Sequence, residues 1–421
     1  MIRLGQQLFK RAKEHQGLKL YGANMSWLFA EKIFRMAVGF TIGIYVARCL
    51  GPDKYGLLNY AISFAGVFSV LVSLGLDTVL VRELVNHPEQ RDSIIGSCVV
   101  LKLFGYISMV MGVGCSLFFL NNDIYTNRLV IIITAGYLFQ IFYTLDFYFQ
   151  AQILSKYVAI SQIAAWSLVS AGRVYCAWQG YPLIYYAWLE VMNICLTSIG
   201  YLLFYILKVS NPFRWRFKPG TALQMFKYSW PLLLNGAAIM IHMRVDQVMV
   251  KSMLGDKELG YYAVAVRLSE IWYFIPTIVC TSLFPAIIRS KKISLEHYES
   301  RLQKLYNLLA LFSISLSIGT IMVSPFLIKL LYGASFSQAS SVLNIYIWTL
   351  LIVSLCSILG QWVIIEQLQV LAMYASLAAV VFNIVMNYIL IKQYGLTGAA
   401  AATILVPFFS QGIIFVCCKK S

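Results

Sequence analysis

The sequence predicts an all-α integral membrane protein of about twelve transmembrane helices arranged in two six-helix bundles. Hydrophobic residues fill 60% of the 421 positions and charged residues 12%, about half the charged fraction of a soluble domain. The mean hydropathy is +0.74. About twelve apolar stretches approach the roughly 20 residues that cross 30 Å of hydrocarbon. A short motif that follows the first stretch also recurs after the seventh.

Residues 1–21 (MIRLGQQLFKRAKEHQGLKLY) lack the apolar core of a cleavable signal, so the first span is expected to direct insertion. Leu4, Leu8 and Ala12 at helical spacing, with Lys10, Arg11, Lys13 and Lys19 between them, fit a basic amphipathic helix on an anionic leaflet. A solvated basic tail fits equally. The spans are then expected near 22–48, 57–80, 94–120, 128–151, 157–178 and 183–207. After the basic segment 208–227, the longest connection, they resume near 228–252, 261–288, 304–331, 338–363, 370–391 and 397–417. This divides the chain into a cytoplasmic tail 1–21, a bundle 22–207, a linker 208–227 and a bundle 228–418. No connection is long enough for an extramembrane domain, which places function within the membrane.

The nine cysteines stand singly apart from Cys417–Cys418 and have no metal-ligand spacing. They read as small apolar residues, and neither a metal site nor a cofactor is expected. The formal charge of +16 is unevenly spread. With the N-terminus in the cytoplasm, about 20 Lys and Arg fall in cytoplasmic segments, about 7 in outer loops and about 6 within spans. The excess is a topology signal that puts both termini inside, and it argues against a nucleic-acid partner.

The repeat pairs Leu50-Gly51-Pro-Asp-Lys-Tyr-Gly56-Leu-Leu-Asn-Tyr-Ala61 with Leu254-Gly255-Asp-Lys-Glu-Leu-Gly260-Tyr-Tyr-Ala-Val-Ala265, with Leu, Gly, Gly and Ala matching at one offset. Each copy joins two spans through a tight turn that suits glycine. Two halves of six spans start on the same side, so the repeat is expected to be parallel.

Val46-Ala47-Arg48-Cys-Leu50-Gly51-Pro52-Asp-Lys-Tyr55-Gly56, then Ser73-Leu74-Gly75-Leu76-Asp77 and Val81-Arg82-Glu83, resembles the Wzx-type polysaccharide-unit flippases. Gly260-Tyr261-Tyr262-Ala263-Val264-Ala265-Val-Arg267-Leu268, Leu331-Tyr332-Gly333 and Tyr394-Gly395-Leu396-Thr397-Gly398-Ala399-Ala400 are similar to that family's second half. The family belongs to the multidrug/oligosaccharidyl-lipid/polysaccharide exporter (MOP) superfamily. The resemblance implies two bundles around a central cavity (a MATE-like fold), alternating access and no enzymatic activity. It also implies a substrate of undecaprenyl pyrophosphate bearing an oligosaccharide unit, moved across a bacterial inner membrane for O-antigen, lipopolysaccharide or other surface polysaccharide. A polymerase and a chain-length regulator are partners only by the same implication.

Charges inside spans are costly, roughly 2.5 to 3.5 kcal/mol each at the bilayer centre, and normally face a wet cavity or a partner. Arg35 lies roughly 16 Å into the first span, with Glu31 four residues away on one face and Lys32 about 100° round. One reading has Arg35 and Lys32 bind pyrophosphate while Glu31 holds Arg35, because a guanidinium offers paired donors to phosphate oxygens. The other has Glu31 and Arg35 simply neutralise each other. Arg244 and Arg267 sit at nearly equal depth on either side of the second Leu-Gly turn, as if to converge on one anion, with Asp246 and Glu270 close by. Interhelical salt bridges are the rival reading. Asp246, Glu270 and His242 are also the candidates for coupling to H⁺ or Na⁺. Arg173 with Glu190, and Asp77 with Lys102, read as structural pairs, and Asp146 as similarly placed. Pro231, Pro276, Pro285, Pro325 and Pro407 are the expected kinks.

A drug/cation antiporter of the same superfamily is the nearest rival, although it would favour an acid-dominated cavity. Lipid II flippases usually carry two further helices. A membrane polymerase or glycosyltransferase would need a large outer loop or an Asp-x-Asp motif, and neither is present in this sequence.

Overall fold

The computed structural model describes residues 2–120, 122–291, 293–366 and 368–418, and these are almost entirely helical. Residues 2–21 continue the first helix, but their side chains lie outside those described, so the amphipathic reading of the tail does too. The helices are α1 (Ile2–Ser73), α2 (Leu76–Asn86), α3 (Arg91–Phe119), α4 (Ile124–Gly136), α5 (Thr144–Ala151), α6 (Ser155–Gln179) and α7 (Leu183–Lys208). They continue with α8 (Pro219–Leu254), α9 (Asp256–Glu270), α10 (Phe274–Lys291), α11 (Leu295–Tyr332), α12 (Ala339–Tyr346), α13 (Thr349–Ile365), α14 (Gln369–Tyr394) and α15 (Leu396–Cys418).

Among the described residues, eight helical stretches are long and apolar enough to cross a membrane. The first, Asn24–Asn86, holds two expected spans, because α1 turns at Gly51 (φ 72°, ψ 172°). The expected spans at α6, α8 and α15 are helical as well, although they fall short of that length or hydropathy measure, so all twelve appear as helices.

The interruptions of the spans fall elsewhere than at Pro231, Pro325 and Pro407. Helix runs through Pro231, Pro325 and Pro407. Instead, single-turn 3₁₀ segments split spans at 139–143 and 271–273, and α12 gives way to α13 at 347–348. Pro276 falls in the first turn of α10, where its missing N–H is harmless. In hydrocarbon each freed backbone group needs a partner. Ser198 Oγ donates to the Phe139 carbonyl at 2.7 Å, and Ser317 Oγ to that of Ile347 at 3.3 Å.

The chain forms two compact units. One comprises residues 1–43 and 68–233, the other 44–67 and 234–421. The first is built on Leu76, Leu80 and Leu84 of α2, Ile94, Ile95 and Cys98 of α3, Leu145 and Phe149 of α5, and Tyr201 and Tyr205 of α7, all buried. Asn24 ties the first span to the start of α6 by exchanging hydrogen bonds with Ser155, Nδ2 to Oγ at 3.0 Å and Ser155 N–H to Oδ1 at 2.7 Å.

In the second unit the two copies of the repeated motif meet. Gly51 and Gly255 share an extended positive-φ conformation (φ 72°, ψ 172° and φ 102°, ψ 178°), each turning the chain into the next helix. A side chain at Gly56 would collide with the Asp256 carbonyl, and one at Gly260 with the carbonyl of Pro52. The motif thus records both a local repeat and a contact between its copies.

Candidate functional site: buried charge in each unit

In the first unit Arg35 Nε lies 3.1 Å from Glu31 Oε1, as the spacing of four predicts. Glu31 is buried, whereas Arg35 remains 44% exposed and free to reach a second anion. Lys32 is exposed and makes no hydrogen bond or ion pair with a described residue. The expected Asp77–Lys102 pair forms at 3.1 Å, with Lys102 only 3% exposed and its ammonium 5.3 Å from the centre of the Phe147 ring. Arg173 pairs with Glu190 at 2.6 Å and lies over Trp166.

The sequence reading did not foresee that these groups gather. Asp146, whose carboxylate accepts from Gln150 at 2.8 Å, has Asp77, Lys102 and Glu31 as charged neighbours. Tyr143 faces Asp146 and Arg35, and Tyr201 faces Asp146 and Glu31 while accepting from Gln162 Nε2 at 2.7 Å. Three carboxylates, two cations and two phenols of this unit are therefore electrostatic neighbours. Packing between helices brings them together, and no linear spacing announces it.

In the second unit Asp246 is buried and fully engaged. Tyr262 donates to its Oδ2 at 2.6 Å, and the Gln247 backbone N–H to its Oδ1 at 2.7 Å. Ser63 donates to Gln247 Oε1 at 2.7 Å, and Thr403 Oγ1 lies 3.3 Å from the Tyr262 hydroxyl, so the chain of bonds crosses four helices. Arg244 makes no ion pair within 4 Å among the described residues, but Glu270 and Asp246 are its charged neighbours. Arg267 also neighbours Glu270, and its Nη1 lies 3.5 Å from the Tyr55 hydroxyl. The two arginines therefore flank one carboxylate in this unit.

His242 does not pair with Asp246 in the described structure. Its Nδ1 lies 3.3 Å from Asn383 Nδ2, and Asn387 donates in turn to the Asn383 carbonyl at 3.0 Å. Tyr262, Thr403, Asn383 and Asn387 are polar members of this site that the sequence reading passed over. A run of Asn383 and Asn387, four apart inside an apolar helix, was the available signal.

Comparison with known proteins places the chain in a family. The family described as Polysaccharide biosynthesis protein matches residues 21–291, and the one described as Lipid II flippase MurJ matches residues 187–421. A Haloferax volcanii protein named "Probable low-salt glycan biosynthesis flippase Agl15" is 23% identical over 393 residues, covering 90% of this chain and 79% of the relative. Among solved structures, the inward closed conformation of Lipid II flippase MurJ superposes with a TM-score of 0.67 at 15% identity, covering 92% of this chain and 87% of that one. An inward-facing multidrug resistance MATE transporter of the MOP superfamily gives 0.65 at 13% identity, covering 92% and 96%. The fold is that of the MOP transporters, and the chain belongs to the polysaccharide biosynthesis protein family, as a multi-pass membrane flippase and not an enzyme.

Proposed function

We propose that the protein carries an undecaprenyl-pyrophosphate-linked oligosaccharide from the cytoplasmic to the outer leaflet of a bacterial inner membrane, with both termini in the cytoplasm. The halves 22–207 and 228–418 act as two copies of one six-helix plan joined by the linker 208–227. Arg35 and Lys32 in the first half, and Arg244 and Arg267 in the second, bind the phosphoryl oxygens in turn. Glu31 and Glu270 hold Arg35 and the Arg244/Arg267 pair when substrate is absent. Asp246, Glu270 and His242 are the groups through which an H⁺ or Na⁺ gradient would act. A polymerase and a chain-length regulator are proposed to take up the product.

The observation that carries this reading is family membership combined with Arg35, which is 44% exposed, and Arg244, which makes no ion pair within 4 Å among the described residues, both within otherwise apolar helices. A guanidinium kept in hydrocarbon without a tight protein partner is costly unless an anionic ligand visits it. Drug efflux is the second reading, favoured by the buried acids Glu31 and Asp246 and by the MATE likeness.

The test is transport in proteoliposomes, following a fluorescent polyprenyl-pyrophosphate oligosaccharide. Wild type is expected to flip it, and Arg35→Ala and Arg244→Ala to slow flipping at least tenfold while eluting as monodisperse protein. Efflux of an organic cation by a wild type that leaves the glycolipid unmoved would overturn the proposal in favour of the antiporter.

A further inference from the structure

The connection between α7 and α8 is no slack tether. Residues 208–218 read KVSNPFRWRFK, with four basic residues, and no acid appears before Lys227. The backbone is pinned to the start of α3. Arg216 N–H donates to the Asp92 carbonyl at 3.1 Å, and Lys218 N–H to Ser97 Oγ at 3.1 Å. A side chain at Gly96 would come within 2.6 Å of the Arg216 carbonyl oxygen, so the two segments lie in backbone contact there. Trp215 turns inward, donating to the Tyr205 hydroxyl at 3.2 Å and packing on the buried core of α2, α3, α5 and α7.

What this anchoring displays is unusual for a polar loop. Phe213 is 96% exposed and Phe217 52% exposed. Lys208, Arg214, Arg216 and Lys218 are exposed around them, and none forms an ion pair with a described residue. The nearest acid by contact, Asp92, is already paired with Arg91 at 2.8 Å. A topology signal needs only charge. It requires neither a fixed backbone nor phenyl rings held in water at a cost.

We infer that this segment is a docking surface for the anionic phospholipids of the leaflet in which α7 ends and α8 begins. Its cations would meet headgroup phosphates, while Phe213 and Phe217 sink to the acyl boundary, as at other interfacial anchors. The surface stands at the end of a spanning helix, so headgroups are its immediate surroundings.

The full-length protein in neutral detergent is titrated with phosphatidylglycerol, phosphatidylcholine or inorganic pyrophosphate while Tm is followed. Phosphatidylglycerol is expected to raise the Tm of wild type, and the other two to leave it unchanged. The triple variant Arg214→Gln/Arg216→Gln/Lys218→Gln should require roughly 100-fold more phosphatidylglycerol, at about fivefold per lost charge. Phe213→Ser should require roughly tenfold more with all charges present. A charge-matched control, Lys257→Gln/Lys329→Gln/Lys392→Gln, should respond as wild type. If the linker triple is already destabilised without lipid, Phe213→Ser and Arg214→Gln decide, since Phe213 is almost wholly exposed and Arg214 is exposed and makes no ion pair with a described residue. An unchanged phosphatidylglycerol response in the linker variants, an equal loss in the control, or equal protection by pyrophosphate would each overturn the inference.

Discussion

At the scale of residues, buried charges do two kinds of work. Lys102 is nearly sealed and satisfied by Asp77. Removing one partner of such a pair strands the other, which typically costs about 3–5 kcal/mol, whereas replacing both can be neutral. Asp77→Leu, which strands the sealed Lys102 ammonium, should therefore lower Tm sharply in detergent, and Lys102→Met/Asp77→Leu should recover most of the loss. Asp246 is organised differently, around its hydrogen bonds to Tyr262 and the Gln247 amide. Asp246→Asn keeps an acceptor for Tyr262 and is expected to fold like wild type, while Asp246→Ala removes the 2.6 Å bond and leaves the buried phenol only the longer contact to Thr403, at about 1–3 kcal/mol. Thermal melts of the two separate structure from ion coupling, because a coupling role would show as lost gradient-driven transport in the well-folded Asn variant. Spacing within one helix made the Glu31–Arg35 pair legible in the sequence, and a short turn did the same for Arg173 and Glu190. The approach of Asp146 to Glu31 was not legible, because it depends on which faces of separate helices meet after a 3₁₀ turn resets the phase.

At the scale of elements, the twelve apolar runs could be read directly, since hydrocarbon admits little besides helix. The breaks inside them could not. Phe139–Tyr143 and Ile271–Tyr273 contain neither proline nor glycine, and at the breaks at Phe139 and Ile347 a serine of another helix supplies a hydroxyl to the carbonyl. Ser198→Ala and Ser317→Ala should each cost about 1–3 kcal/mol by leaving a carbonyl uncapped, more than Ser167→Ala, whose hydroxyl only bonds back to its own helix. Chemical denaturation in detergent would rank them. The glycines of the repeated motif are a second case. Gly51→Ala meets open space but a forbidden φ, for about 1–3 kcal/mol. Gly56→Ala and Gly260→Ala have ordinary backbone but no room, and should destabilise more, because a carbonyl of the facing copy must move. The sequence revealed the repeat itself, but not that its two copies pack on one another.

At the scale of the whole molecule, the sequence halves and the compact units are different divisions of the chain. Residues 44–67 lie early in the sequence yet pack with residues 234–421. Tyr55, Tyr60, Ala61 and Phe64 are buried there, so a fragment ending at residue 233 would expose them. Expressed alone, residues 1–233 should aggregate or be degraded, and co-expression with 234–421 should restore a monodisperse peak by size-exclusion chromatography. Recovery of a well-behaved 1–233 fragment would show that the exchanged hairpin contributes little.

That hairpin also sets a rule for anyone who would build hybrid transporters. A crossover in the linker near residue 220, the natural cut on paper, would marry one parent's 44–67 to the other parent's 234–421 and ask strangers to fit glycine against carbonyl. Grafts that move residues 44–67 together with 234–421 keep that joint within a single lineage and spare the hybrid an incompatibility at the seam.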